Sequence, residues 1–449
     1  MTALRPPRGW LVGGVFCAQC ATAIGNPVKP SGAAASPAAA PTVVSAGAGN
    51  TSQVFASGTC GYKSFRIPAL LAVPSEEGCH VLAFAEGRVH RGRDHGEVHV
   101  VLRRSADGGA SWGDLQVIAR AQDFELDNGA TVGNPCPIWD AQRQRVVLLL
   151  TTNLGTDTEF MIISGRATGT REVWVLRSAT LGATWDTPRN ITANAKAATW
   201  SWYATGPGAG VQLANGRLVA PCDHAEQRQG PAAVVAAALN PTVPFLPVGR
   251  STMFSWVRRL TGGRGFGYAS HLIFSDDGGE TWAIGGVAVS DTNECTLAVQ
   301  PSGALLVNMR DFSLLHRRRM QHSTDGGVTL QLPAPFDETL PDPPCQASIC
   351  GAPPSSSLPQ GGVFFCNPNH PSARRKLTIQ FRPWLDEAGQ ELIVGGWRTA
   401  LTVEEGKSAY SSLALLTGTS SEIGCLYECG EGSKPTIEFV AVPLGVFAQ

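Results

Sequence analysis

The chain is 449 residues long, with a formal net charge of −1 and 16% charged residues. That balance excludes a nucleic-acid footprint and a disordered acidic tail, and no apolar run approaches the roughly 20 residues that a membrane-spanning helix needs. Gly at 51 and Pro at 31 suit many short strands joined by turns, so the chain reads as a mostly β protein.

At the N-terminus, Arg5 and Arg8 precede an apolar stretch from Trp10 to Ile24 that ends in small residues. That order of positive, apolar and small is the layout of a secretory leader over residues 1–25. It predicts a secreted protein or one in the lysosomal or endomembrane lumen, with a cytoplasmic location as the alternative. Residues 26–53 run to Pro, Ala, Ser and Gly and read as a flexible linker. The folded domain is expected over 54–449.

The first predicted strand, YKSFRIPAL at 62–70, carries Arg66 between Phe65 and Ile67, with Pro68 ending the pairing. An arginine half-buried in an apolar strand needs an anionic partner, from the protein or from a ligand. Residues 81–104 then read as two strands flanking a polar loop with Glu86, Arg88, Arg93, Asp94 and His95. Function in β proteins concentrates on such loops.

One turn pattern recurs four times: SADGGASW at 105–112, SATLGATW at 178–185, SDDGGETW at 275–282 and STDGGVTL at 323–330. Asp closes the turn on nearby backbone N–H groups, Gly supplies a positive φ, and Trp fills the space beneath the hairpin. Thr180 replaces Asp in the second copy and Leu330 replaces Trp in the fourth. Irregularly spaced copies of one hairpin point to a propeller of small sheets.

Between the turns, VVLLL at 146–150 and VWVL at 173–176 are of strand length. The run Trp200, Trp202, Tyr203 lines a pocket or packs a core. The glycines of GPGAG at 206–210 lack the strand–loop–helix setting of a phosphate cradle. HRRR at 316–319 reads as a solvated loop. Of 12 cysteines, the close pairs Cys345/Cys350 and Cys425/Cys429 are disulfide candidates or buried free thiols. No cluster has metal-ligand spacing, and no cofactor is implied.

FRIP at 65–68, AEGR at 85–88 with a following Asp, NPCP at 134–137, GPG at 206–208, NEC at 293–295, NMR at 308–310, a late Arg, AYSSL at 409–413 and LYE at 426–428 stand in a fixed order. With the Asp-box turns, this set resembles the exo-α-sialidases (neuraminidases), and within them the animal-type enzymes, including the lysosomal form. The resemblance runs from about residue 60 to about 440.

It implies an all-β six-bladed propeller that hydrolyses terminal sialic acids from glycoproteins, gangliosides and oligosaccharides. Such enzymes grip the substrate carboxylate with three arginines, because planar guanidinium forks bind carboxylates bidentately and stay charged. By motif these are Arg66, Arg310 and Arg374; Arg375 stays open for the third, since alternation sends neighbours to opposite faces. Arg88 joins them as a substrate-binding residue. A carboxylate nucleophile would be repelled by the sugar acid, so the family attacks with a tyrosine phenol. Tyr410, among small residues in SAYSSLALL, matches that position. Glu294, a lone carboxylate opening the apolar strand TNECTLAV, matches its base. Asp94 matches the general acid. Glu428 is expected to orient Arg66, and Glu86 to act similarly. The competing readings are a trans-sialidase of the same fold and a non-catalytic Asp-box propeller that binds glycans or proteins.

Overall fold

The computed structural model describes residues 42–43 and 51–448, apart from 77, 91–92, 128, 227–266, 313–314, 417–420 and 431–434. The leader read at 1–25 lies outside the described residues, as does most of the linker. Two parts of the linker stretch are in strands instead: Thr42–Val43 beside Thr399 and Ala400, and Ser52 and Gln53, which open the strand Ser52–Ala56.

Among the described residues the regular structure is nearly all strand, in two eight-stranded sheets, one of five strands and one of four. The sheets are open, and hydrogen bonding follows chain order in antiparallel meanders. Ser64–Ser75 pairs with Gly78–Arg88, and that strand with Val98–Ser105. One parallel contact, Val98 to Thr131, fuses this meander to the next, Thr131–Asp140, Arg145–Asn153 and Glu172–Ser178. The five-stranded sheet runs from Trp200–Thr205 to Ala283–Val287, and the four-stranded one from Thr292–Val299 to Phe336–Pro341. In the last sheet the 18-residue strand Thr399–Leu416 pairs first with Arg375–Arg382 and then, past a register break, with Glu422–Cys429. Ser52–Ala56 adds to the outer edge of Thr436–Pro443 and so ties the N-terminal side of the fold to its C-terminal strand.

The apolar cores lie between successive meanders. Leu82 and Phe84 pack with Val146 and Leu148; Ile138 and Leu149 with Leu218 and Ile273. Phe55 and Phe65 pack with Leu426 and Phe439, so the first and last strands share a core as well. A strand covered on both faces reads as a continuous apolar run, which is why VVLLL is buried throughout.

The repeated turns form as their composition dictates. Asp107, Asp277 and Asp325 each accept from the backbone N–H four residues on, at 2.9, 2.8 and 3.0 Å. The Thr180 hydroxyl accepts the equivalent bond from Thr184 at 2.9 Å, so the second turn closes without its carboxylate. Gly109 has φ +97°, and a Cβ there would lie 2.2 Å from Phe439, the ring on which Trp112 packs edge-on.

Several local expectations are corrected. Pro68 does not end its strand, which continues to Ser75 past an irregularity between Arg66 and Ala69. Glu86 and Arg88 belong to the end of a strand rather than to the loop. HRRR is not a solvated loop, for Arg317–Ser323 is a strand and Arg318 is fully buried. That arginine is tolerated because Asn308, Asp342 and the Cys345 carbonyl accept from it at 2.7, 3.1 and 2.8 Å. Neither proposed disulfide forms: Cys345, Cys350, Cys425 and Cys429 are free, and Cys425 Sγ instead lies 3.8 Å from that of Cys366.

Candidate active site

Four register breaks bring the site together. They fall between Arg66 and Ala69, Gly133 and Cys136, Thr292 and Cys295, and Ser408 and Ser411. A bulge adds a residue to one strand, bends it and re-aims the side chains within it. Arg66, Asn134, Glu294 and Tyr410 lie at or within these breaks. Ile67 and Asn134 also take left-handed backbone conformations, with φ of 58° and 56°.

Tyr410 is 7% exposed, and its hydroxyl donates to Glu294 Oε1. The other carboxylate oxygen of Glu294 accepts from Arg310 Nη1 at 2.6 Å. Burial pushes the Tyr410 phenol well above its ordinary pKa, and the charge of Glu294 pushes it further, against the pull of Arg310, Arg374 and Arg66. Two more guanidiniums face the same ring, with Cζ atoms 4.9 Å (Arg66) and 5.8 Å (Arg374) from its centroid. Arg66, Arg310 and Arg374 thus converge on one phenol from three separate strand regions.

Arg66 is held from behind. Glu428 accepts from its Nε and Nη2, both at 3.1 Å, and from the backbone N–H of Ile67 at 2.9 Å. One buried carboxylate thereby fixes both the guanidinium and the irregular backbone beside it. Asp94 Oδ1 lies 3.5 Å from Arg66 and 2.7 Å from Arg88. Desolvation pulls the Asp94 carboxyl up, but Arg88 and Arg66 outweigh it and hold the group at about 2. Arg88 is 1% exposed and donates to Glu86 at 3.2 and 2.7 Å, so its guanidinium faces protein carboxylates. Glu86 in turn accepts from the Asn134 backbone at 2.9 Å.

Of the two candidate late arginines, Arg374 faces Tyr410 and donates to the Pro344 carbonyl at 2.9 Å. Arg375 opens the next strand, is exposed, and pairs across from Lys407.

Sequence reasoning missed a second group of polar residues beside these. Arg171, 2% exposed, donates to Asn153 and Asn134 at 3.0 and 2.8 Å and lies 4.0 Å over the Trp202 ring. Burial lowers its pKa, while Glu86, Glu159, Asp223 and Asp94 counter that effect. Glu159, on the short helix Glu159–Ile163, accepts from the Tyr268 hydroxyl at 2.6 Å. None of these stands in a recognisable motif; the one visible cue was a charge beside an apolar run, as in Arg171 before VWVL. Trp200, Trp202 and Tyr203 are all buried and serve as packing. Among the described residues no group of His, Cys, Asp and Glu is arranged to hold a metal ion. No helix there is long and apolar enough to cross a membrane.

The fold and this cluster define a β protein of Asp-box type, and residues 80–423 match the BNR repeat-like domain family. Human Sialidase-4 is 32% identical over 322 residues, covering 69% of this chain and 58% of that protein. The exo-alpha-sialidase of Aspergillus fumigatus is 27% identical over 335 residues, covering 71% of this chain and 67% of its own. The chain belongs to the sialidase family. It spans little more than half the length of the Sialidase-4 relatives from human and mouse, 58% and 55%. Among solved structures, a Hadza microbial sialidase superposes with a TM-score of 0.69 at 24% identity, over 88% of this chain and 69% of that one. An intramolecular trans-sialidase of Ruminococcus gnavus gives 0.64 at 16%, over 90% and 100%; both likenesses concern the fold.

Proposed function

We propose that this chain is a retaining exo-α-sialidase that hydrolyses terminal α-linked sialic acids of glycoproteins, glycolipids and oligosaccharides. In this reading the meanders are the blades of a six-bladed propeller. The core shared between the first and last strands supports that closure. The single observation that carries the enzymatic reading is the hydrogen-bonded chain Tyr410–Glu294–Arg310 beneath two further guanidiniums.

Arg66, Arg310 and Arg374 hold the substrate carboxylate, the geometry for which guanidinium forks are suited. Tyr410 oxygen bonds to the anomeric carbon as the bond to the leaving oxygen breaks, and the phenol proton passes to Glu294. A buried phenol is a poor nucleophile, so proton removal has to accompany attack. Asp94 protonates the leaving oxygen. Paired with two arginines it is ionised at neutral pH, but an incoming carboxylate offsets those cations and adds a like charge, both of which raise its pKa. Asp94 then accepts a proton from the water that displaces Tyr410, and the proton on Glu294 returns to the phenol.

Tyr410→Phe keeps the ring and the arginines and removes the attacking oxygen. Hydrolysis of a fluorogenic α-sialoside is expected to fall by at least about 10³-fold while free sialic acid still binds. Undiminished turnover by this variant refutes the assignment.

A further inference from the structure

The base proposed above has a carboxylic neighbour that the mechanism does not use. Asp223 lies mid-strand in Leu218–Glu226, across from Ser270, and is 1% exposed. Its Oδ2 accepts from the Asn293 amide at 2.9 Å, while Oδ1 has no hydrogen-bond partner among the described residues. Asn293 directly precedes Glu294 inside the register break between Thr292 and Cys295. Ser270 on the neighbouring strand ties this segment twice: its Oγ donates to the Asn293 backbone carbonyl, and its N–H donates to the Thr292 side-chain hydroxyl at 2.9 Å. Asn293 is therefore held by its main chain from Ser270 and by its side chain from Asp223, and the direction of Glu294 follows from both.

A carboxylate removed from water needs a cation or several donors to remain ionised. Asp223 has one neutral amide donor and forms no ion pair with any described residue. We propose that Asp223 is a neutral carboxylic acid at working pH that positions the base Glu294 through Asn293, and that its ionisation sets an upper pH limit on turnover. This rests on the sialidase reading for the role of Glu294. It is a positioning residue, since Asn293 stands between it and the reacting groups.

The surrounding charges act in both directions, and burial with the nearby carboxylates prevails. Burial raises the Asp223 pKa well above its ordinary value, and the carboxylates of Glu294 and Glu159 raise it further; Arg171 and Arg310 pull the other way. The remaining titratable neighbours are neutral groups: burial pushes up Tyr203, Tyr268, Cys222 and Cys295. Ionising Asp223 would put a second negative charge near Glu294 and repel its carboxylate from the position in which it accepts from Tyr410.

Two variants test this. Asp223→Asn mimics the neutral acid and keeps an oxygen for Asn293, whereas Asp223→Ala removes it. Near the optimum, Asp223→Asn is expected to keep kcat within about threefold, and Asp223→Ala to lose about tenfold or more in kcat with little change in KM. On the alkaline side Asp223→Asn should hold its rate to higher pH than wild type. Equal losses in both variants with unshifted pH profiles overturn the positioning role.

Thermal melts supply a second measurement that needs no activity. Between the ordinary carboxylate range and the raised value, the unfolded chain has lost a proton that the folded chain keeps, so stability falls as pH rises. The Tm of Asp223→Asn should therefore gain on wild type as pH rises above the ordinary carboxylate range. A constant Tm difference overturns the neutral acid. If wild type hydrolyses no sialoside, the sialidase reading and the positioning role fall together, while the melts still decide the protonation state.

Discussion

Replacing Glu428 by Gln tests whether one buried carboxylate holds the proposed substrate-binding arginine. Glu428 is 3% exposed and accepts three bonds, at 3.1, 3.1 and 2.9 Å, from Arg66 Nε, Arg66 Nη2 and the Ile67 N–H. Gln keeps the volume and one carbonyl oxygen, so the Ile67 bond can persist. The second oxygen becomes an NH2 facing a guanidinium donor. Charge-assisted hydrogen bonds contribute about 1.5–3 kcal/mol each, and breaking a buried ion pair costs about 3–5 kcal/mol. Arg66 keeps 20% side-chain exposure and a contact with Asp94 at 3.5 Å, so water and Asp94 recover part of that. The expected loss is about 3 kcal/mol, at the lower end of the range. Urea denaturation of Glu428→Gln, Arg66→Met and the double variant closes a thermodynamic cycle. A coupling energy of about 2 kcal/mol or more is expected. A coupling below about 0.5 kcal/mol would refute the claim that Glu428 acts on Arg66.

Three further outcomes follow from the geometry. Arg374→Ala should raise KM for an α-sialoside by about tenfold or more, whereas Arg375→Ala, exposed on the other side of the strand start, should leave it within about twofold; steady-state kinetics on both variants checks this. Asp94 sits at about 2 against an ordinary 3.8, so the stability its pairing adds is present above 3.8 and lost as pH falls through about 2. Its side chain is 72% exposed, so solvent screening keeps that contribution small, and melts of Asp94→Asn should show a slightly shallower acid limb. A Cβ at Gly133 would lie 2.3 Å from Glu86 Oε1. Gly133→Ala should therefore cost about 1–3 kcal/mol in denaturant melts and weaken turnover, because Glu86 braces both Arg88 and the Asn134 backbone.

The hairpin repeats were legible because each turn is closed by its own residues: Ser105, Asp107 and Gly109 bond to one another within four positions. Local chemistry of that kind survives in the order of amino acids. HRRR was misread for the opposite reason, since nothing local shows that Arg318 will meet Asn308 and Asp342 inside the fold. Sequence closeness left Cys425 and Cys429 open between a disulfide and free thiols; the fold keeps both free, and strand pairing brings Cys425 near Cys366. Among the late arginines, strand alternation left Arg374 and Arg375 open, and their placement before and within the strand Arg375–Arg382 separates them.

The amino-acid order alone determined the β character, the Asp-box turns and the family motifs that single out Arg66, Asp94, Glu294, Arg310, Tyr410 and Glu428. These are short-range signals, carried by residue types at fixed spacing. Tertiary structure alone decided how those side chains meet, and that Arg171, Glu159 and Asp223 lie near them. Tyr410 and Glu294 are 116 positions apart, Arg66 and Glu428 362. Strand pairing brings such residues to one place, and register breaks turn them inward; neither leaves a periodic trace in the chain.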